Sequence, residues 1–199
     1  MSVETLAQIL AELGDVRVVL AGTILTAAFL AWRHDGDIAR TFAYGVVLCI
    51  AATVALKLIG LILERMSVSS LIGSPSGHVA LGTAFTGSLG LVLSHNRGGP
   101  AHAASFVCTA LVVLAIAHSR IAKDAHSGFE VLEGAVMGLI GLIPLAALMM
   151  RRKRTQGAIP AWPPILAVAI LVVAVFPMRD LDTEVIVRRI ADWLPITKD

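Results

Sequence analysis

From Thr41 to Leu63 the chain carries a single charged side chain, Lys57, and from Ala103 to Ala117 it carries none. An α-helix rises about 1.5 Å per residue, so an apolar run of about 20 residues matches the hydrocarbon thickness of a bilayer. Neither run alternates apolar with polar residues, as the roughly 10-residue strands of a membrane barrel do, so both are expected to be helices that satisfy their own backbone. Four further apolar stretches flank them: Val16 to Trp32, Ser74 to about Ser94, Phe129 to Met150 and Pro164 to Phe176. The reading is an all-α membrane protein of about six transmembrane helices, with residues 1–199 forming a single membrane domain and the bundle occupying 16–176.

Composition agrees, with 57% hydrophobic and 15% charged residues against about 45–50% and about 25% in soluble domains. The formal charge of +2 and the lack of a basic stripe interleaved with aromatics exclude nucleic acid as a partner. Cys49 and Cys108 both lie within apolar runs, where they read as small hydrophobes. In residues 1–14, Val3, Leu6, Ile9, Leu10 and Leu13 fall at helical spacing with Glu4 and Glu12 among them, which predicts an amphipathic segment on the membrane surface. It lacks the basic start of a secretory signal. The tail 178–199, with Leu181, Val185, Ile190 and Trp193 among charges, predicts another surface helix. Gly82, Gly87, Ser88 and Gly90 suit close helix packing, Pro144 predicts a kink in the fifth span, and Pro163-Pro164 marks the start of the sixth.

Ionisable side chains at membrane depth are costly and therefore point to function. They gather in two segments, one holding Lys57, Glu64, Arg65, Ser76 and His78, the other His118, Arg120, Lys123, Asp124, His126 and Glu130. Two spans separate them, so both open on the same side of the membrane. Ser74-Pro75-Ser76-Gly77-His78 reads as a helix start: Ser74 suits the N-cap, Pro75 the first turn, and Gly77 admits a ligand close to the backbone. The free N–H groups of such a start favour an anion, phosphate above all. In the second segment His126 and Glu130 stand at i and i+4, where a carboxylate can hold an imidazole in one orientation and leave its other nitrogen to attack.

Pro75-Ser76-Gly77-His78, followed by Ser119-Arg120-x5-His126-x3-Glu130, resembles the type 2 phosphatidic acid phosphatase superfamily. That superfamily includes membrane lipid phosphatases, soluble acid phosphatases and vanadium haloperoxidases. Its second motif is matched fully and its third with Glu130 in place of aspartate. Its first, Lys-x6-Arg-Pro, is partly present: Lys57 is followed by Arg65 one position late, Glu64 takes the arginine position and Met66 that of proline. Eight helical residues turn through about 800°, so Arg65 lies about 80° from Lys57 around the axis and both can face one pocket. The resemblance covers residues 57–138 and implies a four-helix catalytic core.

It also implies roles. His126 would be the nucleophile and form a phosphohistidine, with Glu130 fixing its ring. His78 would protonate the leaving oxygen and then activate water. Arg120, Ser76 and the Gly77 N–H would hold the phosphate oxygens, with Lys57 and Arg65 completing the cradle. These cations stand where other phosphatases place a metal, so no metal or cofactor is implied. The expected partners are a lipid phosphate or pyrophosphate substrate and membrane lipids.

Of the remaining groups, His118 reads as packing beside the site, Glu133 as a second acid on the His126 face, and Lys123 with Asp124 as a surface pair. His34, His95 and His102 read as solvated in the loops of the other side. Arg151-Arg152-Lys153-Arg154 reads as a cytoplasmic anchor, which points both functional segments outward from a cell (inner) membrane. Two functions follow from these residues: a membrane phosphatase acting on a lipid phosphate, and a non-catalytic relative that binds phospholipid or assists its transport.

Overall fold

The computed structural model describes residues 12–33, 35–66, 74–152 and 159–175. The amphipathic segment expected over the first residues, the tail 178–199, His34, Lys153 and Arg154 fall outside the described residues apart from the short turn Glu12–Gly14; the side chains of Glu64 and Arg65 do too. Among the described residues there are six α-helices and no strand: α1 Val16–Trp32, α2 Gly36–Arg65, α3 Gly77–Ser94, α4 Gly99–Ala122, α5 Gly128–Arg151 and α6 Trp162–Val175, preceded by a 3-10 turn at Glu12–Gly14. Four of them, α2 to α5, are long and apolar enough to cross a membrane, while α1 and α6 are shorter apolar helices. The chain is a helical membrane protein by this measure. The limits of α1 match the expected span, whereas α2 and α4 extend beyond theirs.

The helix α3 is the centre. Of its residues 61% are buried, against 11% for the apolar window of α4, which turns Phe106, Leu111 and Leu114 outward where lipid would lie. Small residues on α3 and α5 make this possible. A Cβ at Gly138 would collide with Ala80 and Thr83, and one at Gly87 with the Leu142 side chain. The contacts advance together along both helices, so α3 and α5 run parallel with nearly touching backbones, the packing that small residues allow in lipid. Gly82 and Gly90 work likewise against α4, whose Ile116 and Ser105 occupy the space their side chains would need. On the other flank Phe85 of α3 meets Phe42 of α2 edge to face at 6.0 Å and fills the space left open by Gly22 of α1.

Polar contacts tie the two ends. At one end Arg152 Nη2 donates to Asp35 Oδ1 at 2.8 Å, Arg97 Nη2 donates to the Ile159 carbonyl at 2.7 Å, and Ser94 Oγ bonds His102 Nδ1 at 2.8 Å. His95 is buried there and His102 is engaged, so neither is the solvated side chain expected of a loop; the tight turn after α3 folds both back onto the helix ends. Pro144 does not interrupt α5, which is helical throughout.

Candidate functional site

At the opposite end the two segments rich in ionisable groups meet. The loop before α3 docks on the start of α5: the Ser76 N–H donates to the Glu130 carbonyl at 2.9 Å, and the Ser74 N–H donates to Glu130 Oε1 at 3.3 Å. A Cβ at Gly134, one turn further along α5, would lie 2.5 Å from the Ser76 carbonyl oxygen, so only glycine lets the loop sit this close. These bonds hold Ser76 extended, at φ −65 and ψ 108, and move the N-cap from Ser74, where the sequence suggests it, to Ser76. The helix then begins at Gly77, not with Pro75 in its first turn.

The second segment is shaped by two motifs. At the end of α4 the Ala125 N–H donates to the Arg120 carbonyl at 3.1 Å and the Asp124 N–H to that of Ile121 at 2.9 Å, with Asp124 left-handed at φ 51. This is the Schellman arrangement that satisfies the last carbonyls and reverses the chain. Ser127 then caps α5 in a capping box: Glu130 N–H donates to Ser127 Oγ at 3.3 Å, and Ser127 N–H donates back to Glu130 Oε2 at 2.8 Å. His126 is held between the two motifs, and its side chain is only 5% exposed.

His126 Nδ1 lies 3.6 Å from Glu130 Oε2, an ion-pair separation longer than a hydrogen bond. Glu130 thus serves three partners: the imidazole, the cap of its own helix and the loop before α3. A shorter aspartate reaches less far back, which gives a physical reason for glutamate at this position in a Ser-x-x-Glu context.

The helix register brings α4 to the same place. Gly90 faces Ser105, and Gly82 faces Ile116; between them Thr109 Oγ1 donates to the Thr86 carbonyl at 3.4 Å. One more turn of these antiparallel helices sets Ser119 and Arg120 level with His78. On α2 the stripe Cys49, Thr53, Lys57 repeats every four residues. Cys49 Sγ reaches the Ala80 carbonyl at 3.5 Å, so two turns further, about 12 Å, Lys57 arrives buried at the level of the loop before α3. The structure therefore brings Lys57, Ser76, Gly77, His78, Arg120, His126 and Glu130 to one end of the bundle. Arg65 ends α2 at that end as well. A Cβ at Gly77 would meet nothing within 4 Å, which leaves its backbone open to approach.

Buried polar atoms at this end lack protein partners: Ser76 Oγ, Ser119 Oγ and Arg120 Nε. All three are able to donate, and each carries a desolvation cost until an acceptor arrives. Among the described residues no three His, Cys, Asp or Glu side chains gather as a metal ion would require.

His118, expected to pack beside the site, is exposed, as are Lys123 and Asp124; on α4 it is Ile116 and Ser119 that are buried, which turns His118 outward. Glu133 is half-buried on α5. Sequence reasoning left out Asp15, which lies within electrostatic reach of His78, although an ionisable pair, Asp15 and Arg17, bordering the first span was signal enough to mark it. It also left out the Ser127 box. No family model matches the chain, and neither curated proteins nor solved structures yield a match.

Proposed function

We propose that the protein is an integral membrane phosphatase that hydrolyses a lipid phosphate or pyrophosphate through a phosphohistidine on His126, as its motifs' likeness to the type 2 phosphatidic acid phosphatases implies. The observation that carries this reading is the set of buried, acceptor-less atoms Ser76 Oγ, Ser119 Oγ and Arg120 Nε at the end of the bundle where a carboxylate flanks His126. Phosphoryl transfer asks little of a protein beyond a nucleophile, a proton donor and concentrated positive charge.

Nδ1 of His126 is turned to Glu130, so Nε2 is the nitrogen that attacks phosphorus. As the new P–N bond forms, the bond from phosphorus to the lipid oxygen breaks, and His78 gives that oxygen its proton. Water then attacks phosphorus, His78 takes the water's proton, and the P–N bond breaks to release phosphate and restore both histidines. Arg120, Ser76 and the Gly77 N–H hold the equatorial oxygens, and Lys57 adds charge from α2. The helix N-terminus of α3 points its free N–H groups at the same place.

The lipid chain lies along the outward faces of the helices while the head group enters the polar end. That end faces away from the cytoplasm, because the basic cluster from Arg151 onward belongs at the opposite, cytoplasmic end. The test is phosphate release by detergent-solubilised protein across phosphatidate, phosphatidylglycerol phosphate, prenyl pyrophosphate and lipid A, beside His126→Ala and His78→Ala. Release that His126→Ala leaves at the parental rate contradicts the assignment. Binding of these lipids without release supports the non-catalytic relative instead.

A further inference from the structure

The residues that precede α1 reach the site although no motif includes them. Gly14 packs against the backbone of His78 so closely that a Cβ there would collide with the His78 carbonyl, and the Gly14 Cα fills space beside Gly82 one turn on. Asp15 follows directly. It is 7% exposed and caps α1, accepting the Arg17 N–H at 2.8 Å. The Arg17 guanidinium grips the same carboxylate with both arms, Nε to Oδ1 at 2.9 Å and Nη2 to Oδ2 at 2.9 Å.

Burial works against the charge of Asp15. The hydrogen bonds and charge of Arg17, together with the charge of His78, outweigh it and hold the carboxyl below its ordinary range. A cap alone needs only a serine or asparagine. A clamped buried anion beside a histidine is more than the cap requires.

The surroundings of His78 explain what the anion is for. Lys57 from α2 and Arg120 from α4 stand at the same end and disfavour a protonated imidazole. From α5 and the turn before it come His126, Glu130 and Glu133; the Glu130 carboxylate is occupied by Ser127, Ser74 and His126. Glu12 and Arg17 flank Asp15. A general acid set in a cationic cradle needs a nearby negative charge to keep its proton until substrate arrives.

We propose that Asp15 is a positioning residue for His78: its carboxylate, clamped by Arg17 and carried beside His78 by the Gly14 contact, favours the protonated ring that delivers a proton to the departing lipid oxygen. This rests on the phosphatase reading above. Asp15 stays ionised throughout; the proton moves from His78 to the lipid oxygen as the P–O bond breaks, and from water back to His78 as the P–N bond breaks.

The test reads His78 directly. Full-length protein labelled with ¹⁵N-histidine is titrated by NMR in detergent micelles, with His78 assigned by the resonance lost in His78→Gln, and the pH profile of kcat is measured in parallel. Asp15→Asn keeps the shape and a capping oxygen but removes the charge. It is expected to move the His78 midpoint down by about 1 pH unit or more and to carry the basic limb of kcat down with it, with KM little changed. Arg17→Gln frees the carboxylate from its clamping charge and moves the midpoint the opposite way. Asp15→Glu restores the negative charge and returns the limb toward the parental position.

A His78 midpoint unmoved in both Asp15→Asn and Arg17→Gln overturns the proposal. So does a midpoint that moves while the kcat profile stays fixed. Parental protein that releases no phosphate from any lipid overturns the phosphatase reading instead, and the NMR titration still decides whether Asp15 and His78 are coupled.

Discussion

Replacing Gly134 by alanine tests how tightly the loop before α3 must sit on α5. The added Cβ would stand 2.5 Å from the Ser76 carbonyl oxygen and 3.3 Å from its C and N, where ordinary contact begins at 3.4 Å. The obstacle is backbone on both sides, and the loop must retreat by about 0.9 Å. The Ser76 N–H bond to the Glu130 carbonyl at 2.9 Å resists that retreat, so stability falls by about 1–3 kcal/mol, as for other overpacked sites. Ser76, Gly77 and His78 move with the loop. A misplacement of about 1 Å in a reacting constellation costs on the order of 100-fold in rate, and that is the expected loss of kcat per folded molecule. Gly90→Ala is the comparison: its Cβ meets the end of the Ser105 side chain, which can turn aside, in the half of α3 remote from His78, so it leaves kcat per folded molecule at the parental value. Initial rates of phosphate release and thermal melts in the same detergent supply both quantities. Gly134→Ala turning over like the parent, or Gly90→Ala losing as much rate, would refute the argument.

Other predictions concern single groups. Asp124→Gly relieves a left-handed residue at the C-terminus of α4 and is expected to raise stability by about 0.5–1 kcal/mol in denaturation melts; a loss would show that the Asp124 side chain matters there. Arg152→Ala strips the partner from Asp35, whose side chain is 5% exposed, and lowers stability by about 1–3 kcal/mol, between the values for exposed and buried pairs, without changing the rate of a site at the other end. Because the folded-state pKa of Asp15 is depressed, its stabilisation is present above the unfolded value of about 3.9 and is lost as pH falls through the folded value. Melting temperatures compared with those of Asp15→Asn should therefore converge below about pH 4, and an advantage constant from pH 7 to pH 3 would contradict the pairing. Arg120→Ala is expected to lower kcat by about 10²–10³-fold, the cost of one charge-stabilising donor.

The apolar runs foretold the bundle because the hydrocarbon requirement acts on each helix alone; α1 begins after its Asp15 cap and ends where charge resumes at Arg33. The pairing of the two functional segments was legible by parity. What escaped was set by contacts between distant residues. Ser76, and not Ser74, takes the N-cap position of α3 because Glu130, remote in sequence, accepts its N–H. His95 and His102 fold inward because the turn after α3 is short. Asp15 joins His78 only because glycines at 14 and 82 let the first turn lie against α3. Glu130 could have been read as half of a capping box from Ser127-x-x-Glu130, a signal present in the sequence itself.

The most direct test of the account is to trap the intermediate. Rapid acid-free quenching of the protein during turnover of a ³²P-labelled lipid phosphate should leave a base-stable, acid-labile label on His126 of the parental protein, and none in His126→Ala. Turnover with no label on the protein, or a label that persists in His126→Ala, would contradict it.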